Sequence, residues 1–158
     1  MNSIKPCLWF DSQAEDAATL YASVFENSRI NTVTRYGEGG PMPAGTALAV
    51  EFTLDGLEMQ AINGAPAPGP SAAISLSVSA QTQADIDRLW GALTADGGEP
   101  GQCGWLTDKY GISWQIVPPR LGELLSDPDP AKAGRAMQAM LTMTKLDIAV
   151  LEAAYNGE

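Results

Sequence analysis

A four-residue helix-start signal occurs twice in this chain of 158 residues, 70 positions apart (12 to 82). Ser12-Gln13-Ala14-Glu15 and Thr82-Gln83-Ala84-Asp85 each set a hydroxyl three positions before a carboxylate. In that pattern the hydroxyl accepts from free helix N–H groups while the acid reaches back to the cap. Each copy follows a short strand-like run, Ile4–Phe10 or Ala73–Ser79. Each precedes an apolar stripe at helical spacing: Ala14, Ala17, Ala18, Tyr21 and Phe25, then Ile86, Leu89, Trp90 and Leu93. Strand-patterned segments come next in both halves. The element order β-α-β-β-β, taken twice, marks a weak internal repeat. The fold expected is α+β, built from paired βαβββ modules.

The strands of the first half are Arg29–Tyr36, Thr46–Leu54 and Leu57–Ile62, the last two joined by the hairpin signal Asp55-Gly56. Alternation along Thr46–Leu54 sets Leu48, Val50, Phe52 and Leu54 on one face, and Ala47, Ala49, Glu51 and Thr53 on the other. In Ala73–Ser79, Ile74, Leu76 and Val78 alternate with Ala73, Ser75, Ser77 and Ser79. The second half closes on a hairpin, CGWLTDKYGISWQIVPP, with a turn at Asp108-Lys109-Tyr110-Gly111. There Gly111 supplies a positive φ, and Pro118-Pro119 stops strand pairing. Ile112, Trp114 and Ile116 face a core; Ser113, Gln115 and Val117 face the other way. Beyond it, Asp129-Pro130 starts a helix with Met137, Met140, Leu141 and Thr144 near one face, and Thr144-x-x-Asp147 starts another ending near Gly157. That stripe is expected to pack on the body or on a second subunit. The expected organisation is a first module over 1–64, a Gly/Pro/Ala linker over 65–71, a second module over 72–120 and a helical tail over 121–158.

Composition removes whole classes of function. Nine basic residues against 19 acidic give a net charge of -10, which repels phosphate backbones and anionic membranes, so no nucleic-acid or membrane partner is expected. No apolar run reaches membrane-spanning length and no signal-peptide core is present, so a cytoplasmic location is expected. Cys7 and Cys103 are too few for a disulfide framework. The chain has 0 histidines, which excludes Ser-His-Asp and Cys-His catalysis and His-ligated metals. A carboxylate-only site for a hard cation stays open in principle, but no DxD cluster supports one.

The segments IKPCLWFDSQAEDAATLYASVF, SRINTVTRYGEGGP, the LDG hairpin, CGWLTDKYGISWQIVP and DPDPAKAGRAMQAML occur in the order found in PhnB-like proteins. The chain thus resembles that group, often described as demethylubiquinone methyltransferase-like, within the vicinal-oxygen-chelate or glyoxalase-like superfamily. The resemblance implies two modules around a cleft, and in metal-dependent relatives four ligands on the first, fourth, fifth and eighth strands. The resemblance puts those positions at Pro6, Met59, Ala73 and Gln115, of which only Gln115 carries a donor. No metal and no cofactor is therefore expected. S-adenosylmethionine is not expected either: the Gly37–Gly45 loop leads into a strand, with no helix N-terminus to receive a phosphate or carboxylate.

Small and polar residues on the non-core strand faces (Ala47, Ala49, Ser75, Ser77, Ser113) suit a ligand-sized concavity. The candidate ligand-binding residues are Gln60, Asn63, Ser75, Trp105, Ser113 and Gln115, and the candidate acid/base is Glu51. Each has a structural role as its competing reading, and Trp9, Trp105 and Trp114 read mainly as core, with Trp105 the best placed to stack on a ligand. The leading functional expectation is a metal-free small-molecule binder, assembled as a homodimer. The alternatives are an enzyme using Glu51, methyltransferase-like or lyase/dioxygenase-like, and a protein-interaction module acting through the tail.

Overall fold

The computed structural model describes residues 4–158. Strand β1 (Cys7–Phe10) leads into helix α1 (Ala14–Val24), followed by β2 (Arg29–Arg35), β3 (Ala47–Leu54) and β4 (Leu57–Asn63). The strands form one sheet in the order β1-β4-β3-β2, with β1 parallel to β4 and the other pairs antiparallel. The plan then repeats. Strand β5 (Leu76–Ser79) leads into α2 (Gln83–Thr94), then β6 (Glu99–Pro100), β7 (Trp105–Thr107) and β8 (Ser113–Val117) in the order β5-β8-β7-β6. Helices α3 (Pro119–Leu125), α4 (Pro130–Leu141) and α5 (Ile148–Asn156) complete the chain. The α+β fold of two βαβββ modules with a helical tail is thus present. One compact unit runs to Gly69, the other from Pro70 to Glu158, so the tail belongs with the second module.

Each sheet has one face under a helix and one open face. In the first unit, Ala14, Ala17, Ala18 and Tyr21 of α1 are buried, as are Phe10, Val50, Phe52, Met59 and Ala61 on the sheet. In the second, Ile86, Leu89 and Leu93 of α2 are buried, as are Leu106, Trp114 and Ile116. The terminal hairpin has its expected turn, with Gly111 at φ 87. The Asp108 carboxylate holds that turn by accepting from Tyr110 N (2.9 Å) and Ile112 N (3.0 Å).

Two bulges alter the alternation read from the first module. The β2–β3 register skips Asn31 on one strand and Leu48 on the other. An unpaired extra residue reverses the parity beyond it. Ala47, expected on the open face, is therefore buried, and Leu48, expected in the core, is 38% exposed. Strand β5 is also shorter than the expected Ala73–Ser79, and Ile74 is 80% exposed rather than core.

The helix caps divide similarly. Thr82 and Asp85 make the full reciprocal cap of α2. Asp129 caps α4 with Pro130 at its first turn, and Asp147 caps α5, whose end is closed by Gly157 in the left-handed region. The Ser12–Glu15 box does not form: α1 begins after Gln13, with no side-chain cap from that segment. Its first N–H, on Ala14, is taken instead by Asn63 Oδ1 at 2.8 Å, while the Glu15 carboxylate pairs with Arg35.

The tail has its own small core, of Leu121, Leu124, Ala136, Leu146 and Leu151, with Val117, Met140 and Met143 packed against it. Of the methionine stripe, expected to pack on the body or on a second subunit, Met140 packs instead on the tail's own core, while Met137 and Leu141 are exposed.

Candidate functional site

Strand register defines what each open face presents. In the first sheet Cys7 pairs with Gln60, Gln60 with Glu51, and Glu51 with Thr32, so these four make one row. The next row along the strands is Trp9, Ile62, Ala49 and Thr34. In the second sheet Ser77, Gln115 and Trp105 form one row, with Ser113 and Thr107 in the next. The parallel pairs Cys7–Gln60 and Ser77–Gln115 occupy equivalent places in the two modules. Cys7 and Ser77 are 70 positions apart (7 to 77), the same offset as the two cap signals.

This equivalence shifts three of the four positions that the resemblance implied. Met59 is fully buried against α1 and cannot reach the open face; its neighbour Gln60 holds that position. On the first strand the open-face residue is Cys7, not Pro6, and on the fifth Ser77 holds the place assigned to Ala73.

Gln115 lies where the alternation puts it. Its Nε2 donates to Ser75 Oγ at 2.9 Å, and its register partner is Trp105, half-buried on the same face. Ser113 is nearly buried one row on. Ser75, Trp105, Ser113 and Gln115 are therefore brought together on one sheet face. Gln60 and Glu51 are together on the other: Gln60 Nε2 donates to Glu51 Oε1 at 3.1 Å, and the Lys5 ammonium binds Glu51 Oε2. Burial pushes the Cys7 thiol up although the residue is largely exposed; the Glu51 carboxylate adds to the rise and Lys5 opposes it. Cys7 is thus kept as a thiol at neutral pH rather than poised as a nucleophile.

Asn63 belongs to neither group. It is 3% exposed and lies on the helix-covered face. Its Oδ1 caps α1 at Ala14 and its Nδ2 donates to Ala47 O at 2.9 Å. The residue that sequence reasoning missed is Trp9. Read as core, it is 48% exposed on the open face, with its indole N–H donated to Gly64 O at 2.6 Å. The alternation of β1 with Phe10 was the available signal.

The donor set does not fit the metal of the metal-dependent relatives. Ser77 and Gln115 supply no anionic ligand in the second sheet, and the Glu51 carboxylate beside Gln60 is paired with Lys5. Among the described residues no group of three or more His, Cys, Asp or Glu side chains converges.

Comparisons with known proteins agree with this architecture. Residues 2–117 match the family model described as 3-demethylubiquinone-9 3-methyltransferase. The PhnB protein from Bacillus cereus shares 35% identity over 73% of this chain and 98% of its own, with a TM-score of 0.65. Protein PA1353 from Pseudomonas aeruginosa, at 21% identity, covers 72% of this chain and 95% of its own with a TM-score of 0.58. The fosfomycin resistance protein FosX from Listeria monocytogenes, at 14% identity, covers 80% and 98% with a TM-score of 0.56. The last two similarities show the fold alone. No curated protein matches. With most of its length inside the family model and the Bacillus cereus protein spanned almost whole, the chain belongs to the PhnB-like, 3-demethylubiquinone-9 3-methyltransferase family.

Proposed function

We propose that the chain is a metal-free small-molecule-binding protein of this family, with its ligand seated on open sheet surface. The observation that carries the reading is the Gln115 amide. Its nitrogen is engaged by Ser75, while its Oε1 accepts no hydrogen bond among the described residues; Trp105 is its register partner on the same face. An anchored amide with a spare acceptor, an aromatic side chain and a lining of Ser75, Ser77, Ser113 and Thr107 is the composition of a small-molecule site. A methyl donor would need its own subsite. The Gly37–Gly45 stretch of the β2–β3 connection joins antiparallel neighbours and leads into a strand rather than a helix, which weighs against S-adenosylmethionine.

Both oxygens of Glu51 are engaged, by Lys5 and by Gln60, which weighs against that carboxylate as a free general base. The tail packs into the second unit, which weighs against its acting as an independent interaction module. Exposed Met137, Leu141 and Val150 support the homodimer, which light scattering at micromolar concentration tests. The two free thiols support a cytoplasmic location.

Native mass spectrometry of protein purified from its host tests the binding reading. A co-purifying small molecule is expected on the wild type and not on Gln115→Leu, with elemental analysis giving far less than one transition metal per chain. A Gln115→Leu protein carrying its ligand undiminished, or a stoichiometric metal, would refute it.

A further inference from the structure

Trp9 gives the open face of the first sheet a chemistry of its own. The residue is 48% exposed, yet its orientation is fixed by the hydrogen bond to Gly64 O. Gly64 has no side chain, and a Cβ there would lie 3.3 Å from the indole nitrogen and 3.7 Å from two ring carbons. The glycine therefore admits the ring, and the carbonyl holds it. Ile62 and Ala49 continue the row from Trp9 across the sheet, so an apolar shelf runs over three strands. The polar row of Cys7, Gln60 and Glu51 lies two residues along each strand, about 7 Å away at ordinary strand rise.

The charges decide what the shelf can hold. Lys5 and Glu51 are the charged groups at the polar row, and they neutralise one another. An anion would have to break that pair in a chain of net charge -10, and a cation would have to displace Lys5. The Oε1 of Gln60, like that of Gln115, accepts no hydrogen bond among the described residues.

We propose that this face selects an uncharged planar ring, stacked on Trp9 over Ile62 and Ala49, with a hydroxyl or carbonyl oxygen reaching the Gln60 amide. Trp9 is then a specificity-determining residue. The inference rests on the reading of the chain as a small-molecule binder and names the class of ligand that the first sheet takes. A flat neutral ring stacks on an aromatic platform without disturbing the Lys5–Glu51 pair, whereas an exposed tryptophan locked over a glycine contributes little to the core.

The test uses the full chain, labelled with nitrogen-15, and two matched pairs of probes: 2-naphthol with 2-naphthoate, and coumarin with coumarin-3-carboxylate. The four tryptophans give four indole N–H resonances, assigned by single Trp→Phe variants. The neutral member of each pair is expected to move the Trp9 resonance and to bind at least tenfold more tightly than its carboxylate. Trp9→Leu should weaken that binding tenfold or more with an unchanged circular dichroism spectrum, and Trp9→Phe should restore part of it. Equal affinity for the carboxylates, or an unmoved Trp9 resonance, overturns the proposal. If only the Trp105 indole and the Gln115 amide respond, the binding reading stands and this inference falls; if none responds, this inference falls and the binding reading is decided by the co-purified ligand.

Discussion

Trp114 Nε1 donates to Asp108 Oδ2 at 2.8 Å, with both residues buried beneath the terminal hairpin. The same carboxylate holds two backbone N–H groups of the turn through its other oxygen. One side chain thus fixes the turn, the register of β8 and the largest core residue of the second module. That register is what sets Gln115 on the open face.

Replacing Asp108 should therefore be costly. Asp108→Asn keeps an acceptor for the turn but turns an amide N–H toward the Trp114 indole N–H. A buried donor left unsatisfied costs about 1–3 kcal/mol, and more where the lost partner was charged. A loss of about 2–4 kcal/mol is expected, read as a lower urea midpoint with unchanged slope. A change below about 0.5 kcal/mol, the usual scale of an unimportant surface substitution, would show that the contact contributes little.

Asn63 offers a way to separate structure from binding. It lies on β4 three residues beyond Gln60, but on the opposite face. Asn63→Leu removes the cap of α1 and leaves Ala47 O without its donor. Loss of a cap alone costs about 1 kcal/mol, and the orphaned carbonyl adds to it. Thermal unfolding should move down by several degrees, while ligand affinity, measured where the variant is folded, should be unchanged. A variant as stable as wild type but defective in binding would return Asn63 to the ligand site.

These two residues show what could and could not be read from the sequence. Local signals carried well: Thr82 with Asp85, Asp129 with Pro130, and the Asp108–Gly111 turn all act within four residues of one another. The doubled element order carried too, because it depends only on period. Asn63 failed because its partner, Ala14, lies 49 residues away. Leu48 and Ala47 failed because a bulge is a property of two paired strands and leaves no mark in the alternation of either one. Met59 and Gln60 differ by a single position, and a one-residue shift exchanges the two faces of a strand. Trp9 failed because apolar character says that a side chain prefers cover, not that the chain supplies it.

Arg35 and Glu15 join β2 to α1 on the covered side of the first sheet, with contacts of 2.8 Å from each terminal nitrogen. The Arg35 hydrogen bond holds the Glu15 carboxyl below its ordinary value. The folded state thus binds this proton less readily than the unfolded chain. The contribution to stability is complete above the ordinary glutamate range and is lost as pH falls through the lowered value. Arg35→Gln should therefore reduce stability at neutral pH and flatten the acid limb of the pH profile. Because the pair is largely exposed, the effect should be modest and should shrink in high salt. An acid limb identical in Arg35→Gln and wild type would refute the linkage.

The tail is fastened to the second module by backbone bonds from Cys103 N to Met143 O (2.8 Å) and Gly104 N to Thr144 O (2.7 Å), and by one side-chain amide. Gln83, the first residue of α2, donates from Nε2 to Leu146 O at 3.1 Å and accepts at Oε1 from Ile148 N at 2.9 Å. It holds the connection between α4 and α5 as a neighbouring strand would, with one donor and one acceptor. Lys145 adds an exposed ion pair to Asp87 on the same helix, and Leu146 is wholly buried. Gln83→Ala leaves the Thr82–Asp85 cap intact and removes both side-chain bonds to the tail. Two net hydrogen bonds of about 1 kcal/mol each set the expected scale, roughly 1–3 kcal/mol. The loss should be local: amide exchange at Ile148 and through the first turn of α5 should accelerate by a factor of ten or more, while the Gln115 face keeps its protection and its ligand. Exchange that rises evenly over both modules would mean that the tail is part of one cooperative unit, and unchanged exchange in α5 would mean that the Cys103 and Gly104 backbone bonds and the packing of Leu146 are enough to hold it in place.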